Sequence, residues 1–329
     1  MRRRLPKILI TGGAGFIGSA FTRLYASYGF KLAVLDKLTY AGDLSRLRDV
    51  KSKIKFYRAD IADQEKVEEA FKQVRPDILL NFAAESHVDR SIKDPSPFLK
   101  TNILGVEVLL GAVKKFPVDK FVHISTDEVY GDIEKGSFTE SSPLKPSSPY
   151  AASKAAADLF INSYSRTHGV STTVIRPSNN YGPWQYPEKL IPLTILKILQ
   201  GKKVPVYAKG ENIREWLYVE DCAEAIFALI GQGRRGEVYN LGSSREIRNI
   251  EVVRMILGIM GVSPKRIEFV KDRPGHDIRY RLNSAKLYKA LGWRPRVKFE
   301  DGLKMTVWWY LEHKDWLLSK AAEIEKLYE

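Results

Sequence analysis

Short apolar runs alternate with longer amphipathic segments along the first half of this chain. Lys7–Thr11, Lys31–Leu35, Ile54–Tyr57, Ile78–Phe82, Phe121–Ile124 and Thr172–Arg176 read as strands, Ile78–Phe82 as one buried on both faces. Helical spacing of apolar positions marks Phe21–Tyr25, Val67–Val74, Thr101–Phe116 and Tyr150–His168 between them. Strands alternating with helices at this regularity predict an α/β fold, a Rossmann-like doubly wound parallel sheet with right-handed crossovers. Beyond Arg176 the rhythm changes. Ser178–Lys189 is a polar and aromatic connection, followed by the helix Ile191–Leu199, strand Val204–Tyr207, a helix from Val219, and strand Val238–Leu241. The helix Ile250–Met260, strand Ile267–Val270 and a helical end complete the chain, with Trp308, Trp309, Trp316 and Leu317 expected to pack. This pattern predicts a Rossmann-like domain of residues 1–178 plus about 211–245. A smaller, mostly C-terminal α/β substrate domain takes about 179–210 plus 246–329.

Composition changes this picture little. An apolar fraction of 44% with 28% charged residues over 329 positions is that of a globular protein with a sizeable core. The net charge of +14 invites a nucleic-acid or anionic-membrane partner, but the basic residues are dispersed among 39 acids and the one tight run is Arg2–Arg4. A solvated surface accounts for such dispersion, so neither nucleic acid nor membrane is expected as a partner. The lone cysteine, Cys222, excludes an internal disulfide and falls in an apolar helical pattern, where it packs. The five histidines lack metal-ligand spacing, and no metal is expected. The apolar part after Arg2–Arg4 is too short for a signal peptide, and no uninterrupted membrane-spanning stretch is expected. The protein is therefore assigned to the cytoplasm.

Candidate chemistry gathers at the strand ends, where an open parallel sheet holds its ligands. Gly12, Gly15 and Gly18 follow the first strand at Gly-x-x-Gly-x-x-Gly spacing and lead into a helix. Such glycines permit a tight turn and bring backbone amides and a helix N-terminus to a pyrophosphate. Asp36 ends the second strand, where an acid accepts from both adenosine ribose hydroxyls and repels a 2′-phosphate. That favours NAD over NADP, whereas Lys37 beside it has the opposite preference. Asp60 either meets the adenine amino group or caps the following helix. The fifth strand runs out into Ser125-Thr126-Asp127-Glu128-Val129-Tyr130-Gly131. Tyr150 and Lys154, four apart, share one helical face, and an ammonium beside a phenol lowers the phenol pKa toward that of a usable base. Composition alone favours an ordinary acidic loop for the acidic pair, and an exposed strand-end turn competes for Asp36 and Lys37 taken singly.

Taken together, these residues resemble the extended short-chain dehydrogenase/reductases acting on nucleotide sugars, and within them the dTDP-glucose 4,6-dehydratase family, which oxidises carbon 4, eliminates water across carbons 5 and 6 and returns hydride to carbon 6. The likeness runs through Asp36–Gly42, Ala83–Ser91, Ser125–Gly131, Ser178–Pro192, Arg214–Asp221 and Arg273–Tyr280. It implies a recycled NAD lined by Gly12, Gly15, Phe16, Ile17, Gly18, Asp36, Lys37, Thr39, Asp60, Ile61, Ala84, Thr101, Tyr150, Lys154 and Asn180. By the same resemblance Ser86, Thr126 and Asn179 would meet the sugar. Lys189, Leu190, Pro205, Tyr207, Arg214, Asn249, Arg273 and His276 would hold nucleotide and diphosphate, for which cations are suited on independent grounds. Thr126, Asp127, Glu128, Tyr150 and Lys154 would be catalytic: Tyr150 as base at the carbon 4 hydroxyl, Glu128 as base at carbon 5, Asp127 as acid on the carbon 6 hydroxyl. Adjacent carboxylates suit those two roles if one is kept protonated. A homodimer is a further implication. The chain departs from the family pattern at Asp43, Ala151 and Ala208-Lys209, the last beside the expected nucleotide pocket. A related 4-epimerase or decarboxylase would share everything except the need for Asp127-Glu128. An NAD-binding regulatory or nucleic-acid-binding protein on this fold is the alternative of another class.

Overall fold

The computed structural model describes residues 5–328, so Arg2–Arg4 lie outside the described residues. Seven parallel strands form the main sheet: β1 (Lys7–Thr11), β2 (Lys31–Asp36), β3 (Ile54–Arg58), β4 (Ile78–Asn81), β5 (Lys120–Ile124), β6 (Thr172–Pro177) and β10 (Glu237–Leu241). Their order is β3-β2-β1-β4-β5-β6-β10, which makes the β1/β4 junction the point where strand order reverses. Alternation along each strand supplies two cores. On one face Ile8, Ile10, Leu32 and Val34 pack against α1 (Phe16–Ala26) and the later helix Val219–Gln232, where Cys222 is fully buried. On the other face Leu9, Ala33 and Leu35 meet α2 (Gln64–Val74) and the helices Ser96–Lys115 and Pro149–Thr167.

Ser96–Lys115 departs from the sequence reading in two ways. Its first part, Leu99–Leu104, is π-helical before regular α-helix resumes at Gly105. By length and mean hydropathy it is also the one helix among the described residues that could cross a bilayer, which corrects the expectation of none. Half of it is buried, with Val106, Leu109, Leu110 and Val113 in the sheet's second core. A core helix covering a sheet needs that composition.

A third apolar core lies outside the main sheet. It is built from α-helices Leu190–Leu199, Asn249–Ile259 and Phe299–Glu312 around Trp216, Tyr218, Val204 and Val206. Two small sheets frame it: β7 (Asn179–Tyr181) beside β9 (Ile213–Tyr218) and β11 (Glu246–Arg248), and β8 (Val204–Tyr207) paired in parallel with β12 (Ile267–Val270). Periodicity missed β7, β9 and β11. β7 and β11 are three residues long, and β9 carries Arg214 and Glu215 inside an otherwise apolar run. Leu317 is buried and Trp309 and Trp316 join this core, but Trp308 is 59% exposed, so the expectation that it packs is wrong.

One buried ion pair fastens the active edge of the main sheet. Arg176 at the end of β6 donates from Nε to Asp158 Oδ2 at 2.9 Å, with both side chains almost fully buried. Its Nη1 reaches the Tyr130 hydroxyl at 2.7 Å, and that hydroxyl donates to Asn240 Oδ1 on β10 at 2.8 Å. Removing one member of such a pair leaves an uncompensated buried charge. Arg176→Met is expected to destabilise the fold by about 3–5 kcal/mol, read as a lowered urea midpoint. An unchanged midpoint would contradict a buried pair.

Candidate active site

The glycine turn is fixed by contacts that exclude a side chain. Gly12 adopts φ +70°, and a Cβ there would lie 2.4 Å from the Ala83 backbone nitrogen. A Cβ on Gly18 would come within 2.3 Å of the Gly12 carbonyl oxygen, so only glycine lets α1 start this close to β1. α1 has neither a side-chain cap nor an acid in its first turn, which leaves its amides to an external anion. Asp36 stands beside this turn: its Oδ2 accepts from Ala14 N at 2.9 Å and its Oδ1 from Leu38 N at 2.8 Å. Each oxygen keeps a lone pair, enough to accept ribose hydroxyls. Lys37 Nζ lies 2.8 Å from Asp60 Oδ2 and is thereby engaged, rather than offered to a 2′-phosphate. Asp60 accepts from Ala62 N, while Asp63, not Asp60, caps α2. Gly12, Gly15, Asp36, Lys37, Thr39, Asp60, Ile61, Ala84 and Thr101 line one cavity together. The cradle that any Cβ would fill, the open helix terminus and the placed carboxylate fit a dinucleotide without a 2′-phosphate.

A second cavity shares Gly12, Gly15 and Ala84 with the first and continues past Phe16, Ile17, Gly18 and Ser86 to the end of β5. Thr126, Asp127, Glu128, Tyr150, Lys154, Asn179, Asn180 and Lys189 line its far part. Thr126 is extended and caps a one-turn 3-10 helix, Asp127–Tyr130, its hydroxyl accepting from Glu128 N at 3.3 Å. Gly131 ends that turn at φ +80°, where a Cβ would meet the Lys145 carbonyl oxygen at 2.2 Å.

The two carboxylates have unequal surroundings. Asp127 is 3% exposed, and its Oδ2 has no hydrogen-bond partner. Burial, then the neighbouring Glu128 and Glu215, push its pKa well above the usual carboxylate range. Burial also raises Glu128, but Arg273, Lys189 and Arg214 oppose the shift. Neighbouring anions thus favour the proton on Asp127 while neighbouring cations favour the charge on Glu128, the asymmetry that an acid beside a base requires.

Tyr150 and Lys154 sit in the first turns of the helix Pro149–Thr167, which Ser148 caps and Pro149 starts. A lowered Tyr150 pKa is expected from the sequence, but in the free chain the net shift is upward. Burial and the Glu128 charge push the phenol up, and the Thr126 hydroxyl offsets this only partly. Lys154 is 1% exposed and donates to the Ile124 carbonyl at 2.7 Å, with Nζ 3.2 Å from His123 Nε2. Burial lowers its pKa to about 8 against the pull of Asp158.

A third cavity of about 650 Å³ opens from the second through Glu128, Asn179, Asn180 and Lys189. Leu190, Pro205, Tyr207, Arg214, Asn249, Arg273 and His276 line it, so every residue singled out from the sequence borders one of three connected cavities. Arg214 donates to the Asp277 carbonyl at 2.8 Å and lies 4.4 Å over the Tyr280 ring. Lys189 donates to the Ser86 carbonyl at 2.9 Å, and the Tyr207 hydroxyl to Asp89 at 3.1 Å. Ala208 takes a left-handed φ of +47°, a position glycine suits better.

Sequence reasoning missed His123, Glu188 and Tyr280. His123 is hidden inside a four-residue apolar pattern, and only its burial reveals it. Glu188 lines the second and third cavities, and its Oε2, without a hydrogen-bond partner, lies 3.7 Å from Arg90 Nε. Tyr280 comes from a segment far along the chain that only folding brings near Glu128. Among the described residues no group of three or more His, Cys, Asp or Glu is arranged to hold a metal.

The family described as GDP-mannose 4,6 dehydratase matches residues 9–306. A dTDP-glucose 4,6-dehydratase of Streptomyces niveus is 47% identical, with 94% of each chain covered. The crystal structure of DesIV, a dTDP-glucose 4,6-dehydratase of Streptomyces venezuelae with NAD bound, superposes with a TM-score of 0.91 at 45% identity, covering 94% of this chain and 98% of that one. A UDP-glucose 4-epimerase of Thermotoga maritima superposes at 0.88 but is 31% identical, covering 94% of this chain and 99% of its own. Fold alone therefore does not separate dehydratase from epimerase.

The Asp127 environment makes a stability prediction. A carboxyl that holds its proton more tightly when folded costs stability progressively as pH rises from its unfolded pKa, about 3.9, through its folded one. Asp127→Asn, neutral throughout, is expected to match the parent in urea midpoint near pH 4 and to exceed it increasingly toward pH 8. A difference constant with pH would contradict the raised pKa.

Proposed function

The chain belongs to the dTDP-glucose 4,6-dehydratase family, and from that premise we propose that it converts dTDP-glucose to the 4-keto-6-deoxy sugar at the end of β5. The observation that carries this reading is the Asp127-Glu128 pair, with its unequal surroundings, on the wall between Tyr150 and the Arg214/Arg273 cleft. Oxidation or epimerisation at carbon 4 needs Tyr150 alone; elimination needs an acid and a base besides.

NAD, when bound along Gly12–Gly18 and Asp36, supplies the acceptor for the carbon 4 hydride and its donor to carbon 6, together with a cationic ring. Burial keeps Tyr150 protonated in the free chain; positive charge beside it favours release of the phenol proton to solvent, and the phenolate then takes the carbon 4 hydroxyl proton. Thr126 orients that hydroxyl. The ketone formed at carbon 4 acidifies the hydrogen on carbon 5. Glu128, whose charged form Arg273, Lys189 and Arg214 favour against the effect of burial, removes that proton and later returns it. Asp127 gives its proton to the departing carbon 6 hydroxyl, which leaves as water. Arg214, Arg273 and Lys189 also neutralise the diphosphate, and Tyr207 and Asn249 line the nucleotide end.

We infer the same two-part organisation for the chain as a whole. Residues 1–178 plus about 211–245 hold the cofactor, and about 179–210 plus 246–329 hold the substrate, a division supported by the separate apolar cores. A homodimer is proposed through the faces of Ser96–Lys115 and Pro149–Thr167, where Leu99, Leu104, Leu159 and Phe160 stand exposed. Light scattering should give twice the mass of one chain, and Leu159→Glu should return it to one.

Incubation of dTDP-glucose in deuterated water tests the chemistry. The parent should yield a 4-keto-6-deoxy product carrying deuterium at carbon 5. Glu128→Gln should abolish that incorporation and slow turnover by about 10²–10⁴-fold. Undiminished exchange in the variant would remove Glu128 from the base role, and recovery of dTDP-galactose alone would favour the epimerase.

A further inference from the structure

The reaction centre rests on a buried polar chain that crosses the sheet at its reversal point. Thr11 Oγ1 donates to Asn81 Oδ1 at 2.6 Å, and the same oxygen accepts from Ala83 N at 3.1 Å. Asn81 Nδ2 lies 3.0 Å from His123 Nδ1. His123 Nε2 lies 3.2 Å from Lys154 Nζ, which donates to the Ile124 carbonyl. Asn81 and His123 are fully buried.

These contacts allow one assignment of protons. A backbone N–H can only donate, so Ala83 N identifies the Asn81 atom it meets as the carbonyl oxygen. The Asn81 NH₂ group therefore faces His123, and His123 Nδ1 must accept. A neutral imidazole with a bare Nδ1 carries its proton on Nε2, and that N–H is aimed at Lys154 Nζ. An ammonium has three donors and no acceptor, so it would oppose donor to donor; a free amine accepts the N–H with its lone pair. An imidazolium would oppose the Asn81 NH₂ as well.

We propose that His123 is a positioning residue for Lys154, presenting Nε2–H to Nζ so that the amine is held and the ammonium forms only against this contact. The charged group acting on Lys154 from its own helix is Asp158, which Arg176 on β6 pairs at 2.9 Å, and Tyr150 lies one turn earlier on that helix. Asp158 favours the ammonium, and His123 opposes it from β5. With burial lowering the Lys154 pKa to about 8, loss of its proton above that range leaves Tyr150 without a cationic neighbour. The functional consequence rests on the reading of Tyr150 and Lys154 as the redox pair; the proton assignment does not.

Long-range ¹H–¹⁵N correlation on the labelled protein, with its NAD content as purified, reads the His123 tautomer directly. A proton on Nε2 with a bare Nδ1 is expected, and a proton on Nδ1 overturns the proposal whether or not any sugar is turned over. The second readout is the Lys154 ¹³Cε titration beside the pH profile of carbon 4 oxidation. His123→Phe should raise the lysine midpoint by about one unit and move the alkaline limb with it. His123→Gln, whose amide can accept from Asn81 and donate to Nζ, should restore both. A rate lowered by the same factor at every pH, with neither midpoint moved, assigns His123 a merely structural role and overturns the proposal. Absence of dTDP-glucose turnover in the parent would instead remove the functional reading and leave the tautomer result standing.

Discussion

Desolvation at the carboxyl end of β5 is the constraint on which this molecule depends. Asp127, Tyr150 and Lys154 lie within a few residues of that strand end or over it, all less than a tenth exposed, and burial opposes the charged form of each. Burial raises Asp127 and Tyr150 and lowers Lys154. Three ionisable groups are thereby set away from their solution behaviour by one physical cause. What distinguishes them is which charges the surrounding elements present: Glu128 and Glu215 toward Asp127, Glu128 and Asp127 toward Tyr150, Asp158 toward Lys154.

The architecture supplies those charges from separate layers. The main sheet delivers the glycine turn, Asp36 and the β5 end to one edge, because parallel strands all finish on the same side. The third core carries β9 and the Asn249–Ile259 helix, and with them Arg214 and Asn249, to the opposite wall. Arg176, bonded to Asp158 and the Tyr130 hydroxyl, ties β6 to the catalytic helix and to the turn after β5. Substrate cations and catalytic acids therefore meet only when the main-sheet cores and the third core are all formed. The further role assigned to His123 extends the same logic into the sheet, where hydrogen-bond polarity, fixed by one backbone amide, reaches the catalytic lysine.

Local chemistry was the legible part of the sequence. The glycine spacing, Asp36, Thr126-Asp127-Glu128 and Tyr150/Lys154 each rest on neighbours within a few residues, and all of them border the connected cavities. The main-sheet strands were legible for the same reason, since six of them are buried runs with little polar interruption. Long-range electrostatics were not. The direction of the Tyr150 shift depends on how completely the phenol is buried and on Glu128, neither of which follows from a four-residue spacing. Strand β9 was obscured by Arg214 and Glu215, buried polar residues whose partners, Asp277 and Leu282, come from a distant segment. Trp308 was misjudged because an aromatic helix pattern does not say which face the core covers.

Intramolecular hydride transfer tests the central claim most directly, because it requires the dinucleotide cradle, the redox tyrosine and the acid–base pair to act on one bound sugar. The protein is given dTDP-glucose deuterated at carbon 4, and the product is read by NMR. Deuterium in the carbon 6 methyl group of a 4-keto product is the predicted result. Deuterium retained at carbon 4 in a dTDP-galactose product, or lost to solvent without deoxygenation at carbon 6, would contradict the account.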